Sequence, residues 1–156
     1  VPSFSTARST TIAADPAVVH ALIEDFRAWR KWSPWEDLDP DLKRTYSGPE
    51  RGVGSRYEWS GNKKAGQGSM EIVESDPPGS GPGRVVIDLE FLKPFKARNT
   101  TRYDLKPTGA GTDVTWTMSG ERNVLMAVAG ALFFDKAIGK DFEKGLARLK
   151  AAAEVT

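Results

Sequence analysis

The hydrophobic period changes twice along this chain, and those changes fix most of what it can become. From Leu42 to about Gly120, apolar and polar side chains alternate in short runs. From about Val124 to Ala153, the apolar ones recur at steps of three and four. A period of two belongs to a strand with one buried face, and steps of three and four mark one stripe of a helix. Strands are predicted near Lys43–Ser47, Ser55–Ser60, Gly68–Ser75, Arg84–Phe91, Ala97–Lys106 and Thr112–Gly120. Turn-forming residues separate them: Gly48-Pro49, Gly61-Asn62, the run from Pro77 to Gly83, Lys93-Pro94 and Pro107-Thr108-Gly109. Connections this short make antiparallel neighbours.

The alternation also sorts the two faces. Tyr57 and Trp59 oppose Arg56 and Glu58; Ile87, Leu89 and Phe91 oppose Asp88 and Glu90; Val114, Trp116 and Met118 oppose Asp113, Thr115 and Thr117. A sheet with one wet face needs a single cover on its dry face. The C-terminal helix supplies it: Val128, Leu132, Asp135, Ile138, Phe142, Leu146 and Leu149 form the stripe, and Lys136, Lys140, Glu143, Lys144 and Arg148 the other side. At 1.5 Å per residue it reaches about 45 Å, enough to cross the sheet. Upstream, Phe4 to Ala13 reads as a strand. Asp15-Pro16 then caps a helix from about Pro16 to Phe26, and a second helical turn is expected near Arg27–Trp32. Pro34 and Pro40 bound an irregular segment. The expected architecture is α+β: a curved antiparallel sheet of about seven strands around a long C-terminal helix, with two short helices between the first and second strands. No repeat or linker divides it, so residues 1–156 are expected to form a single domain.

Several function classes are excluded by what is absent. Lys+Arg number 22 against 21 Asp+Glu, a net charge of +1, which leaves no footprint for nucleic acid. There is no cysteine, and His20 is the one histidine, so thiolate chemistry and a histidine-rich metal site are ruled out within one chain. No metal and no cofactor are implied. No apolar run reaches the roughly 20 residues that span a bilayer; the run from Val124 to Phe134 is too short. The chain opens on Val1 rather than methionine, which implies a lost N-terminal piece. The expected location is the cytoplasm, with membrane association if that piece was an anchor.

The order of elements is joined by particular segments: Thr11-Ile12-Ala13-Ala14-Asp15-Pro16 into Val19, the aromatic stretch from Asp25 and Phe26 through Trp29 and Trp32 to Trp35, Tyr46-Ser47-Gly48-Pro49, Gly52-Val53-Gly54 before Tyr57-Glu58-Trp59, and Ile138-Gly139-Lys140-Asp141-Phe142-Glu143-Lys144-Gly145-Leu146. With these the chain resembles the START-like, or birch-pollen-allergen-like, helix-grip superfamily (SRPBCC). Within it, the chain is similar to the bacterial polyketide cyclase/dehydrase and lipid-transport group. The resemblance implies a cavity between sheet and helix for a small hydrophobic ligand that is lipid-like, sterol-like or polyaromatic, in a monomer or weak dimer. The superfamily includes carriers, cyclases and chaperone activators and has no universal catalytic motif, so no catalytic residue is carried over.

Candidate ligand contacts follow from the inward faces. Trp29, Trp32 and Trp35 would form a mouth, or else plug one end of the core. Tyr57, Trp59, Met70, Leu89, Phe91, Tyr103, Trp116 and Met118 would line the sheet side, with Ile138 and Phe142 on the helix. Ala97, Asn99, Thr101, Tyr103 and Leu105 share one strand face. With Tyr103 and Leu105 inside, Asn99 and Thr101 would bring hydrogen-bonding groups to the lining, while the alternative register would turn Arg98 and Arg102 inward. Asp135, on the apolar stripe, is the catalytic candidate: it would orient a polar group or act with Tyr57 or Tyr103 as acid and base, or else pair with a basic residue. Gly52-Val53-Gly54, flanked by strands, reads as a tight turn and not a nucleotide loop. Lys63-Lys64 reads as a solvated hairpin tip, the segment Lys93–Phe95 as part of the cavity entrance, and His20 as a surface or edge residue. Two further readings are an acid/base enzyme of the cyclase or dehydratase kind and a protein-interaction module.

Overall fold

The computed structural model describes residues 3–62, 65–79, 81–93, 96–121 and 124–155, and of residues 3, 4, 121 and 124–138 the backbone alone. Seven strands form one sheet: β1 (Ser3–Ile12), β2 (Lys43–Ser47), β3 (Arg56–Ser60), β4 (Gln67–Asp76), β5 (Gly83–Lys93), β6 (Ala97–Thr108) and β7 (Gly111–Glu121). Their order is β1-β7-β6-β5-β4-β3-β2, with every neighbouring pair antiparallel. The short turns expected from the sequence make β2 to β7 a meander. Helix α1 (Pro16–Glu24) and two 3₁₀ turns, Phe26–Lys31 and Pro34–Asp37, carry the chain from β1 at one edge to β2 at the other. The turn at Pro34–Asp37 falls in the segment expected to be irregular. The long helix α2 runs from Val124 to Glu154.

Local chemistry sets the helix starts. The Asp15 side chain accepts from the Ala17 N–H at 3.1 Å, and Asp25 accepts from the Arg27 N–H at 3.0 Å. Each side chain satisfies a donor that the first turn would leave orphaned. The register of β4 shifts between Ile72 and Glu74, a bulge that bends the sheet. Gly52 and Gly54 take φ of +79° and +92°, the left-handed region that glycine enters without penalty, so this segment is the expected turn.

The wet face is held out by charge. Arg56 lies 3.4 Å from Glu71, Arg84 3.2 Å from Asp104 and Arg98 2.9 Å from Asp88, each pair bridging adjacent strands. Such exposed pairs add little stability each, but their solvation commits the alternate residues to the interior. On that inner face lie Ile72, Val85, Ile87, Leu105 and Val114, with Ile12, Val19 and Ile23 from β1 and α1. The described half of α2 contributes Phe142, Leu146, Leu149 and Ala153. Its last turns fasten to β1: Lys150 donates to the Thr11 carbonyl at 3.1 Å, and Glu154 accepts from the Ala13 N–H at 2.9 Å.

Candidate functional site

The aliphatic core residues just named stand apart from the cavity described next, whose lining is rich in aromatic side chains. A cavity of about 480 Å³ lies against the inner face of the sheet, under the Ser33–Leu42 segment and beside Asp141 and Lys144 of α2. Trp116 is its hub. Its indole stacks on Phe142 at 4.1 Å, and meets Trp35 edge-on at 5.5 Å and Tyr103 at 4.9 Å. Trp59 packs edge-on to Phe91 and folds over Gly68, where a Cβ would come within 2.6 Å of the indole. It is fixed there by its Nε1–H donating to the Ala65 carbonyl at 2.9 Å. Glycine at position 68 therefore makes room for one wall.

Of the residues singled out from the sequence, Trp29, Trp35, Tyr57, Trp59, Met70, Leu89, Phe91, Thr101, Tyr103, Trp116 and Met118 line this cavity. Trp32 does not. It is wholly buried, its Nε1–H donates to the Leu22 carbonyl at 2.9 Å, and it plugs the core beside Trp29, whose own Nε1–H donates to Ile23 at 2.8 Å. Phe142 stands behind Trp116 and outside the lining. Asn99 faces inward, as the register of β6 required, but lies against Gly120 away from the cavity. The side chains of Asp135 and Ile138 lie outside the described residues, as do Lys63-Lys64 and Pro94-Phe95.

The principal polar group is one the sequence reading passed over. Glu36, only 7% exposed, lies in the 3₁₀ turn at Pro34–Asp37 and lines the cavity. Its Oε2 accepts from Arg44 Nε at 2.9 Å and from the Tyr57 hydroxyl at 3.0 Å, and Arg44 also donates to its backbone carbonyl at 3.2 Å. Tyr57 stacks on Tyr46 at 5.2 Å, and the Arg27 guanidinium sits 4.7 Å above the Tyr46 ring. Burial, reinforced by the Glu36 charge, pushes the Tyr57 hydroxyl well above the usual phenol range. Burial alone does the same to Tyr103. Both therefore stay protonated at neutral pH, and of the two the Tyr57 hydroxyl donates, to Glu36. A signal for Glu36 was present in β2: Arg44 shares a face with Tyr46, and an inward arginine calls for a carboxylate.

Four of the lining residues each carry a buried polar atom with no partner among the described residues: Glu36 Oε1, Thr101 Oγ1, Tyr103 Oη and Trp116 Nε1. Buried polar atoms are paired in most native interiors, so four among the residues around one cavity is a concentration. No group of three or more metal-ligating side chains occurs among the described residues. His20 corrects an expectation. It is not at the surface but 4% exposed, with Nε2 3.2 Å from Ser75 Oγ and Nδ1 3.5 Å from Glu24. Ser75 Oγ also donates to the same Glu24 oxygen at 3.2 Å, so the three form a compact latch between α1 and β4, away from the cavity.

An antiparallel sheet closed over a long terminal helix, with an aromatic cavity on its inner face, defines a protein of the helix-grip class. The model of the family "Polyketide cyclase / dehydrase and lipid transport" matches residues 3–154, and the chain belongs to that family. Solved structures share the fold at low identity. The protein CV1439 from Chromobacterium violaceum is 17% identical, with a TM-score of 0.64 over 96% of this chain and 97% of that one. The Aha1 dimer from Colwellia psychrerythraea is 18% identical, with a TM-score of 0.68 over 97% of each chain. The protein TTHA0849 from Thermus thermophilus is 15% identical, with a TM-score of 0.63 over 97% of this chain and 98% of that one. No curated protein sequence matches the chain. Among the described residues, no helix is long and apolar enough to cross a membrane.

Proposed function

We propose that the protein binds, and carries, a small hydrophobic molecule inside this cavity. The observation that supports it is the wall itself: about 480 Å³ bounded by four tryptophans, two tyrosines, two methionines and Phe91, with a few polar groups set among them. Side chains normally fill an interior to crystal density, and a hollow of this size and composition matches ligand pockets. Burial of the ligand's apolar surface supplies the attraction, about 25 cal/mol per Å² before the costs of association. The protein acts as one cytoplasmic domain, monomeric or weakly dimeric. An apolar fluorescent probe titrated into the protein is expected to bind at one site per chain and quench tryptophan emission. Failure across a panel of lipids, sterols and polyphenols would refute carriage.

A second reading, acid/base chemistry on the same molecule, is favoured by the 3.0 Å contact between Glu36 and Tyr57 in the cavity wall. It replaces Asp135 with Glu36 as the carboxylate in question. Under it, Tyr57→Phe abolishes turnover and leaves binding of the apolar probe intact.

A further inference from the structure

Ser33, Pro34, Trp35, Glu36, Leu38 and Leu42 all line the cavity, and all belong to one strap of chain, residues 33–42, between the first 3₁₀ turn and β2. The other side of the strap meets water at Asp37, Pro40 and Asp41, so here it alone parts the hollow from solvent. Both of its ends are fixed. The Ser33 N–H donates to the Trp29 carbonyl at 2.7 Å, next to the buried Trp32, and the far end enters β2 through the buried Leu42.

The middle of the strap is held on two sides, and unequally. Towards the sheet the hold is buried. Glu36 and Arg44 pair at 2.9 Å with side chains 5% and 16% exposed, and the Tyr57 hydroxyl donates to the same carboxylate oxygen. Asn62, in the turn between β3 and β4, adds its backbone N–H to Asp39 at 2.8 Å and its side-chain amide to the Leu38 carbonyl at 3.2 Å. Towards α2 the polar links are weaker. One is an ion pair of Asp37 with Arg148, whose side chains are 64% and 36% exposed. The other runs from Trp35 Nε1–H to Asp141 at 3.3 Å, long for an N–H donor. Breaking a buried charged pair strands its partner, whereas an exposed pair parts at little cost. Trp35 also meets Trp116 and Phe142 edge-on, at 5.5 and 6.3 Å, and an entering apolar molecule can replace those contacts.

Resting on the carriage reading above, we infer that the strap is the door of the cavity, hinged on the sheet and opening along α2, with the Asp37–Arg148 pair as its clasp. When the clasp parts, the middle of the strap and the Trp35 indole swing away from Asp141. Ligand then passes between strap and helix, where Asp141 and Lys144 already line the hollow. The clasp lies outside the lining and is made in the empty and the loaded chain alike. It therefore sets the rate of passage in both directions and leaves the affinity alone.

The test follows tryptophan quenching by phenylnaphthylamine, an uncharged probe whose approach is not steered by charge, in stopped flow. The chain has no cysteine, so Asp37→Cys/Arg148→Cys places the only thiols across the clasp, where a reducible bis-thiosulfonate linker joins them. Linking is expected to slow association and dissociation alike, by about tenfold or more, and reductant to restore both. Arg148→Ala should quicken both rates by roughly two- to fivefold, the worth of an exposed ion pair, and hold Kd within about twofold. Added salt should quicken exchange in the wild type by screening the clasp, and leave Arg148→Ala unmoved. A linked protein that exchanges probe as fast as the reduced one overturns the inference while sparing carriage. So does an Arg148→Ala protein whose rates match the wild type, or whose change lies in dissociation alone. If no form binds the probe, carriage fails and the inference goes with it.

Discussion

Glu36 shows how one side chain can organise a site without belonging to any periodic element. Its carboxylate ties the 3₁₀ turn at Pro34–Asp37 to β2 through Arg44 and to β3 through Tyr57. Removing one partner of a buried ion pair strands the other, at a cost of about 3 kcal/mol. Glu36→Ala is therefore expected to lower stability by about that much in urea unfolding, and Tyr57→Phe by about 1 kcal/mol, the worth of one hydrogen bond. The tyrosines give a second expectation. All three in the chain, Tyr46, Tyr57 and Tyr103, are held above the usual phenol value of 10.0, burial being the largest cause in each. Above pH 10 the unfolded chain releases protons that the folded one keeps, so stability is full below that pH and falls above it. Phenolate absorbance at pH 10 should be lower in the folded protein than in the unfolded chain and rise on unfolding; a folded protein whose tyrosines all titrate at 10 contradicts the structure. Glu36 was hidden in the sequence because an aperiodic segment gives no face to read, and a Trp-Glu-Asp run looks solvated. Tyr103 and Trp116 were legible because alternation fixes which way a strand residue points.

At the scale of elements, the described part of α2 carries two glycines whose surroundings differ in stiffness. A Cβ at Gly145 would come within 2.8 Å of the Trp116 indole and 3.3 Å of Pro34, neither free to move. A Cβ at Gly139 would meet the guanidinium of Arg8, a 40% exposed side chain that can swing into water. Alanine gains up to about 1 kcal/mol over glycine inside a helix, and overpacking costs roughly 1 to 3 kcal/mol. Gly139→Ala should therefore raise the melting temperature and Gly145→Ala lower it, with only the second disturbing tryptophan emission. The latch of His20, Glu24 and Ser75 joins α1 to β4. Burial lowers the His20 pKa from 6.5, and this outweighs the opposing pull of Glu24 and Asp76. Below pH 6.5 the unfolded chain takes up a proton that the folded one resists, so stability is present above that pH and declines beneath it. Melting curves should show this decline, and His20→Gln should flatten it. The strands, their order of appearance and both main helices were readable, since each has a clean period and turn residues at its ends. The latch was not, because a histidine beside the apolar stripe of a short helix becomes buried only when a neighbouring strand is known.

For the molecule as a whole, the division of labour within the interior matters most. One cluster of buried side chains forms the core, and beside it a lining rich in aromatic side chains leaves about 480 Å³ open. That hollow has a mechanical consequence. The volume change of unfolding scales with the internal space that unfolding eliminates. Hydrostatic pressure should accordingly unfold this protein well before it unfolds a solid domain of equal length. Whatever fills the hollow should make it hard to squeeze, so resistance to compression becomes a gauge of occupancy that needs no knowledge of the guest.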